Sequence, residues 1–334
     1  MMRKISLLLA LALLAGVLAG CGAGETKADA PTAARRLHVV ATIFPAYDWT
    51  RQILTTGARP EEVELTLLLD DGVDPHSFQP TVKDMAEIAG CDLFLYVGGE
   101  SDAWVPDALS GAVNPSLVSV NFLEVLGGAV KEEETVEGMQ GEDESGEAGE
   151  GPDYDEHVWL SLRSARTLCR AIADALGEAD PDYAETYAAS AGAYIERLDA
   201  LDESFRAAVE AAPLKTLLFA DRFPFRYLTD DYGLTYYAAF PGCSAETEAS
   251  FETVVFLAEK LGTLGLPAVL TIENSDGKLA RTVIETAAAR GAEVLTLDSL
   301  QSTTLREAED GGKTYLDAME RNLEVLKRAL GAEI

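Results

Sequence analysis

The sequence predicts an α/β fold of two lobes with central parallel sheets, joined by one long rigid helix, with a ligand site in the cleft between them. Short apolar, β-branched segments alternate with helical patterns from Leu37 onward, the order that parallel βα units produce. One uninterrupted helical pattern, Tyr183 to Ala211, divides this alternation, which restarts after Pro213. Within it Tyr187, Ala191, Tyr194, Leu198, Leu201, Phe205 and Ala208 recur at three-and-four spacing. Twenty-nine residues at ~1.5 Å each reach about 43 Å, longer than one small lobe is wide. This helix is therefore expected to run along both lobes and fix their relation.

In chain order, residues 1–20 form an export signal. Arg3 and Lys4 precede an apolar run from Ile5 to Ala19 that spans about 22 Å as a helix, short of the ~30 Å hydrocarbon core of a bilayer. Leu18-Ala19-Gly20-Cys21 resembles the bacterial lipobox, which implies lipidation of Cys21 and anchoring by its acyl chains. The small and polar residues that follow make 21–36 a flexible tether. The protein is expected outside the cytoplasm, lipid-anchored to the bacterial cell membrane, and monomeric.

The N-terminal lobe is expected over 37–182, with strands at Leu37–Ile43, Val63–Leu69, Leu93–Val97 and Ser116–Val120. Pro45 opens its first helix, and Thr81 with Asp84 three residues on makes an N-cap for the helix reaching Ile88. Within this lobe 131–156 is an acidic loop. Its twelve acids share the segment with one lysine and few apolar side chains, a composition that predicts mobility. The linker helix (183–211) leads to a C-terminal lobe over 212–334, with strands at Lys215–Ala220, Leu234–Phe240, Ala268–Ile272 and Glu293–Leu297. Helices follow near Ser250–Leu264, Lys278–Arg290 and Lys313–Leu330, and the halves show no sequence repetition.

A formal net charge of −31 repels nucleic acid and anionic headgroups, which argues against nucleic-acid partners and polybasic membrane docking. Besides Cys21 there are Cys91, Cys169 and Cys243, an odd, sparse set that is neither a disulfide framework nor a Cys-x-x-Cys metal clip.

Of three histidines, His38 lies inside the first strand and reads as a packed residue. His76 stands in Asp74-Pro75-His76-Ser77, a turn between the second strand and the Thr81 helix start. His157 stands where the acidic loop runs into a helix, and Asp221 and Asp298 each follow a strand. Open parallel sheets place ligands at the carboxyl ends of their strands, so these four side chains share one crevice. Imidazole and carboxylate together suit zinc and also manganese. Helix-borne metalloprotease spacing, Walker loops, Gly-x-Ser-x-Gly and dinucleotide fingerprints are absent from the sequence.

Val39-Val40-Ala41-Thr42-Ile43-Phe44-Pro45, Asp74-Pro75-His76-Ser77-Phe78-Gln79-Pro80-Thr81, Leu95-Tyr96-Val97-Gly98 and Glu156-His157-Val158-Trp159-Leu160 resemble the zinc/manganese substrate-binding lipoproteins of ABC importers. The resemblance runs from about Leu37 to the C-terminus. It implies two βα lobes joined by a rigid helix, capture of a divalent ion between them, and delivery to an ABC transporter permease on which both lobes dock. It also implies that His76 and His157 are ligands from the first lobe, and that Asp298 is the acid beside the last strand.

The chain departs from that pattern in two places. Relatives that bind zinc often carry a histidine-rich loop where this chain is acidic. The third ligand position, counted back from Tyr232-Gly233-Leu234, falls on Arg222, which cannot ligate, so its neighbour Asp221 is expected to take over. Cys243 adds a thiolate if it faces the crevice, and Glu273 stands by as support. The expected cargo is Zn2+, favoured by the two imidazoles, with Mn2+ the alternative. Two other classes are a metal-dependent hydrolase with Glu273 as general base and an adhesin in which the metal only stabilises the lobes.

Overall fold

Leu37 to Ala41 is apolar apart from His38 and buried at its other four positions, as a parallel strand covered on each side requires, and it lies inside the first sheet. The computed structural model describes residues 36–55, 62–141, 153–244, 248–287 and 291–332. The signal at 1–20, Cys21 and all but the last residue of the tether lie outside the described residues. Strands β1 (Leu37–Ala41), β2 (Val63–Leu67), β3 (Leu93–Tyr96) and β4 (Val118–Asn121) are parallel in the order β2-β1-β3-β4. Strands β5 (Thr216–Phe223), β6 (Thr235–Pro241), β7 (Ala268–Thr271) and β8 (Glu293–Thr296) repeat that arrangement as β6-β5-β7-β8. Both sheets thus reverse winding direction beside their first strand, the point where open sheets leave a crevice at the strand ends.

The first lobe carries α1 (Phe44–Thr55), α2 (Val82–Gly90), α3 (Val105–Ser110), α4 (Phe122–Leu126) and α5 (Leu162–Ala179). The expected cap of α2 is present as a capping box between Thr81 and Asp84. The joining helix is α6 (Ala184–Ala211), followed by α7 (Arg226–Tyr232), α8 (Phe251–Leu264), α9 (Lys278–Thr286), α10 (Leu305–Glu309) and α11 (Tyr315–Ala329). The short helices α4, α7 and α10 have too few turns to show a period in sequence.

Helix α6 buries Tyr187, Ala191, Tyr194, Leu198, Leu201, Phe205 and Val209. It packs on α1 and α5 from the first lobe and on α7 and α11 from the second. One apolar core runs through both lobes, with Val39, Trp49 and Trp159 on one side and Phe219, Leu270, Leu297 and Tyr315 on the other. Buried hydrogen bonds cross between the lobes as well. Tyr315 donates its N–H to Asp48 Oδ2 at 2.8 Å and its hydroxyl to the Trp159 carbonyl at 2.6 Å, and Trp159 Nε1 donates to the Ser299 carbonyl at 2.8 Å.

The expectation of a mobile loop over 131–156 is corrected by the structure in its described parts, 131–141 and 153–156. Glu132 and Tyr154 form an antiparallel bridge, with Glu133 N–H donating to the Asp153 carbonyl at 2.8 Å and Asp155 N–H to the Lys131 carbonyl at 2.9 Å. Residues 131–141 then lie as a strap along the second sheet's edge strand. Gln140 N–H donates to the Ala239 carbonyl of β6 at 2.9 Å, and its Oε1 accepts Ser250 N–H at 2.7 Å. The composition argument failed because the acids find cations: Glu134 pairs with Arg226 at 3.2 Å and Glu137 with Lys260 at 3.2 Å, while Met139 is buried.

Candidate metal centre

His76 is delivered by a single 3₁₀ turn, Pro75–Ser77, whose N-cap Asp74 accepts His76 N–H at 3.1 Å. His157 precedes a second such turn, Val158–Leu160, and its ring is fully buried. The two Nε2 atoms lie 3.2 Å apart. Their other nitrogens are committed: His157 Nδ1 donates to Asp155 Oδ1 at 2.9 Å, and His76 Nδ1 meets Ser101 Oγ at 2.7 Å, with Glu156 Oε2 at 3.7 Å. A ring that donates from Nδ1 keeps its Nε2 lone pair free, as the buried His157 does beside Asp155, and this Nε2 faces that of the half-buried His76. Burial, with the neighbouring His157 acting in the same direction, pushes His76 down to about 3. It is neutral, as a metal ligand must be.

The third nearby donor comes from the other lobe. Cys243 follows β6 in the turn Pro241-Gly242-Cys243-Ser244, and its Sγ and the two imidazoles have ligand atoms within 4.8 Å of one another. Its N–H is held by Glu133 Oε1 of the strap at 3.1 Å. Gly242 lets this turn approach: a Cβ there would stand 2.9 Å from the Phe223 carbonyl and 3.0 Å from His157 Cε1. Burial pushes the Cys243 thiol well above its usual range, and the charges of Glu133, Asp155 and Glu156 act in the same direction.

Asp221 and Asp298 do not join this group. Strand β5 extends past Ala220 to Phe223, with a register irregularity between Phe219 and Arg222, so Asp221 sits within the strand rather than after it. Its carboxylate accepts the N–H of Arg222 at 2.9 Å and of Ile272 at 3.4 Å. Asp298 accepts Leu300 N–H at 2.9 Å and pairs with Lys313 at 2.8 Å. Arg222 does not point into solvent. It crosses the cleft to Asp74, 2.5 Å away, and also donates to the Ser244 carbonyl at 3.4 Å. Burial works against the Asp74 charge, yet the Arg222 bond and charge hold its carboxyl below the usual range.

Gln301 was not among the expected site residues. Its Nε2 lies 2.5 Å from His157 Nε2 and 3.5 Å from His76 Nε2. A turn with Leu300 at φ 62° aims it inward, and Glu273 holds that turn by accepting from Ser299 N–H at 2.7 Å, Ser299 Oγ at 2.6 Å and Gln301 N–H at 3.2 Å. The Glu273 carboxylate is thereby engaged in holding backbone, which leaves the general-base role without geometry. Burial, then the charge of Asp298, raises its carboxyl. The sequence signal for Gln301 was only its place three residues after Asp298. His38, in β1, meets Thr66 Oγ1 at 3.4 Å and Glu87 at 3.5 Å and takes no part in the group.

The arrangement, two imidazoles and a thiol drawn from both lobes, offers donors of the kind that suit a cation. The chain matches the family model described as zinc-uptake complex component A, periplasmic (ZnuA), over residues 39–329. It is 31% identical over 333 residues to the high-affinity zinc uptake system protein ZnuA of Bacillus subtilis (strain 168), covering 99% of each chain. It is 32% identical over 335 residues to the zinc-binding lipoprotein AdcA of Streptococcus pneumoniae serotype 4 (strain ATCC BAA-334 / TIGR4), where it covers 99% of this chain and 62% of the relative. The chain thus spans about three-fifths of that relative's length. The Zn(II)-bound ZnuA-like domain of Streptococcus pneumoniae AdcA superposes with a TM-score of 0.68 at 28% identity, over 88% of this chain and 99% of that one. With the family model matched over 39–329 and a relative 31% identical along its whole length, this chain belongs to the ZnuA zinc-uptake family, which is one of binding components and not of enzymes.

Proposed function

We propose that this chain is the extracytoplasmic, lipid-anchored receptor of an ABC importer, and that it captures a divalent ion and delivers it to a membrane permease. His76 and His157 are the first-lobe ligands, and zinc is favoured over manganese. The observation that carries this reading is the pair of Nε2 atoms 3.2 Å apart, each with its Nδ1 tied to a hydrogen-bond partner. Two imidazole nitrogens at this distance can both bond one cation, since tetrahedral zinc with two nitrogen ligands sets them near ~3.3 Å apart. The zinc-binding names of the relatives support the choice of ion. The lipobox-like Leu-Ala-Gly-Cys supports an anchor at Cys21, and the core shared by both lobes supports a monomer that docks as one body.

Elemental analysis of the purified protein is expected to return close to one equivalent of zinc. In calorimetry His76→Ala and His157→Ala are each expected to weaken zinc binding by at least ~100-fold, since loss even of a supporting residue costs ~10–100-fold. A wild-type chain that takes up no metal would remove the reading.

A further inference from the structure

His76, His157 and Gln301 are all neutral donors, so an ion held by them alone keeps its full double charge inside a cleft. Such a charge is costly to bury without an anionic partner. Among the described residues no carboxylate belongs to the ligand-distance group, and its third member is Cys243. The carboxylates around it are engaged elsewhere, Asp74 with Arg222, Asp155 with His157 Nδ1 and Asp298 with Lys313. Tetrahedral zinc bonded to two nitrogens and a sulfur sets N···N near ~3.3 Å and N···S near ~3.6 Å. The Nε2 atoms already stand 3.2 Å apart, and Sγ lies within 4.8 Å of a ring nitrogen of each histidine, in reach of a side-chain adjustment.

Gln301 offers the fourth position. The Ser299 hydroxyl has one proton, which it gives to Glu273 Oε1 at 2.6 Å. The Gln301 amide 3.1 Å from the same oxygen therefore fits best with its NH2 donating to Ser299 Oγ. Amide oxygen and nitrogen exchange places by a half-turn of the group. That half-turn puts the carbonyl oxygen beside both Nε2 atoms, where a third acceptor is stable only against a cation.

Resting on the reading that His76 and His157 hold the cargo, we propose that Cys243 is the anionic ligand of the ion and the Gln301 carboxamide oxygen its fourth ligand. Binding exchanges the S–H bond for a sulfur–metal bond and releases the proton to solvent. Two imidazoles, one thiolate and one neutral oxygen select a thiophilic ion of the zinc class. They disfavour manganese, which takes carboxylate and water oxygens.

Cobalt(II) loaded into the purified, reduced full-length protein tests the assignment. The wild type is expected to show tetrahedral visible bands and a near-ultraviolet sulfur-to-cobalt charge-transfer band. Cys243→Ser is expected to keep the visible bands, to lose the near-ultraviolet one and to bind zinc at least ~10-fold more weakly. Gln301→Glu, with a hard anionic oxygen, is expected to gain manganese affinity. Cobalt binding by the wild type without the charge-transfer band, or a Cys243→Ser chain that binds zinc as tightly as the wild type, overturns the thiolate assignment and leaves the imidazole pair standing. A wild type that binds neither ion overturns both.

Discussion

Behind His76 stands a buried carboxylate that never touches the ion site. Asp102 accepts the N–H groups of Val97 and Gly98 on one oxygen, at 2.8 and 2.9 Å. Burial outweighs those two donors and, with the charge of Glu156 acting in the same direction, pushes its carboxyl up to about 7. An aspartate in the unfolded chain titrates near ~3.9, so between that value and about 7 the folded state keeps a proton that the unfolded state has released. Stability from this group is therefore greatest at low pH and declines as pH rises through the folded value. Asp102→Asn retains an oxygen for both N–H groups and removes the titration. Urea unfolding at graded pH is expected to show wild-type stability falling more steeply than that of the variant between about pH 4 and pH 7, with parallel curves above that. Equal slopes in the two proteins would contradict this.

At the scale of elements, the strap shows how a highly charged segment becomes ordered. It takes its anchors from β6, α7 and α8 through backbone pairing at Gln140, ion pairs at Glu134 and Glu137, and the buried Met139. Gly138 sits between these anchors with φ at 81°, and a Cβ there would overlap the Phe256 ring. Gly138→Ala adds both that overlap and the ~1–2 kcal/mol cost of a left-handed non-glycine residue. Amide hydrogen exchange at Gln140 is expected to accelerate in the variant while exchange in β1 and β5 stays unchanged. Unaltered protection at Gln140 would mean that the strap does not depend on this glycine. The same strap holds Cys243 N–H through Glu133, so the element that reads as a solvated loop also positions the site turn.

For the whole molecule, a core that runs through both lobes and buried hydrogen bonds between them predict that the lobes unfold together. Tyr315 is fully buried, and its hydroxyl is the partner of the Trp159 carbonyl beside His157. Tyr315→Phe leaves that carbonyl without this donor and is expected to lower global stability by about 1–3 kcal/mol. Tryptophan fluorescence in urea is expected to retain a single transition, and a separate early transition of one lobe would contradict a shared core.

The architecture was legible because it is written in periodicity. Eight short apolar segments, helical spacings between them and the Tyr187-to-Phe205 series each report local burial, and every one formed the expected type of element. His76 and His157 were legible for a related reason, since short turns at strand ends hold them and turn chemistry is local. What failed was whatever depends on distant partners. Asp221 and Asp298 had the right address after a strand, but one lies inside a longer β5 and the other is taken by Lys313 and its own turn. Arg222 was visible as a residue that cannot ligate, but its partner Asp74 lies 148 residues away across the cleft. Gln301 depends on a left-handed Leu300 and on Glu273, while Cys243, expected only as a spare donor, is held at the imidazoles by a strap whose acids pair with the opposite lobe. By itself the sequence determined the fold and the joining helix and located His76 and His157 in short turns, because each follows from neighbours within a few residues. Only the tertiary structure decided which second-lobe donors face those imidazoles, because that choice rests on pairings between segments far apart in the chain.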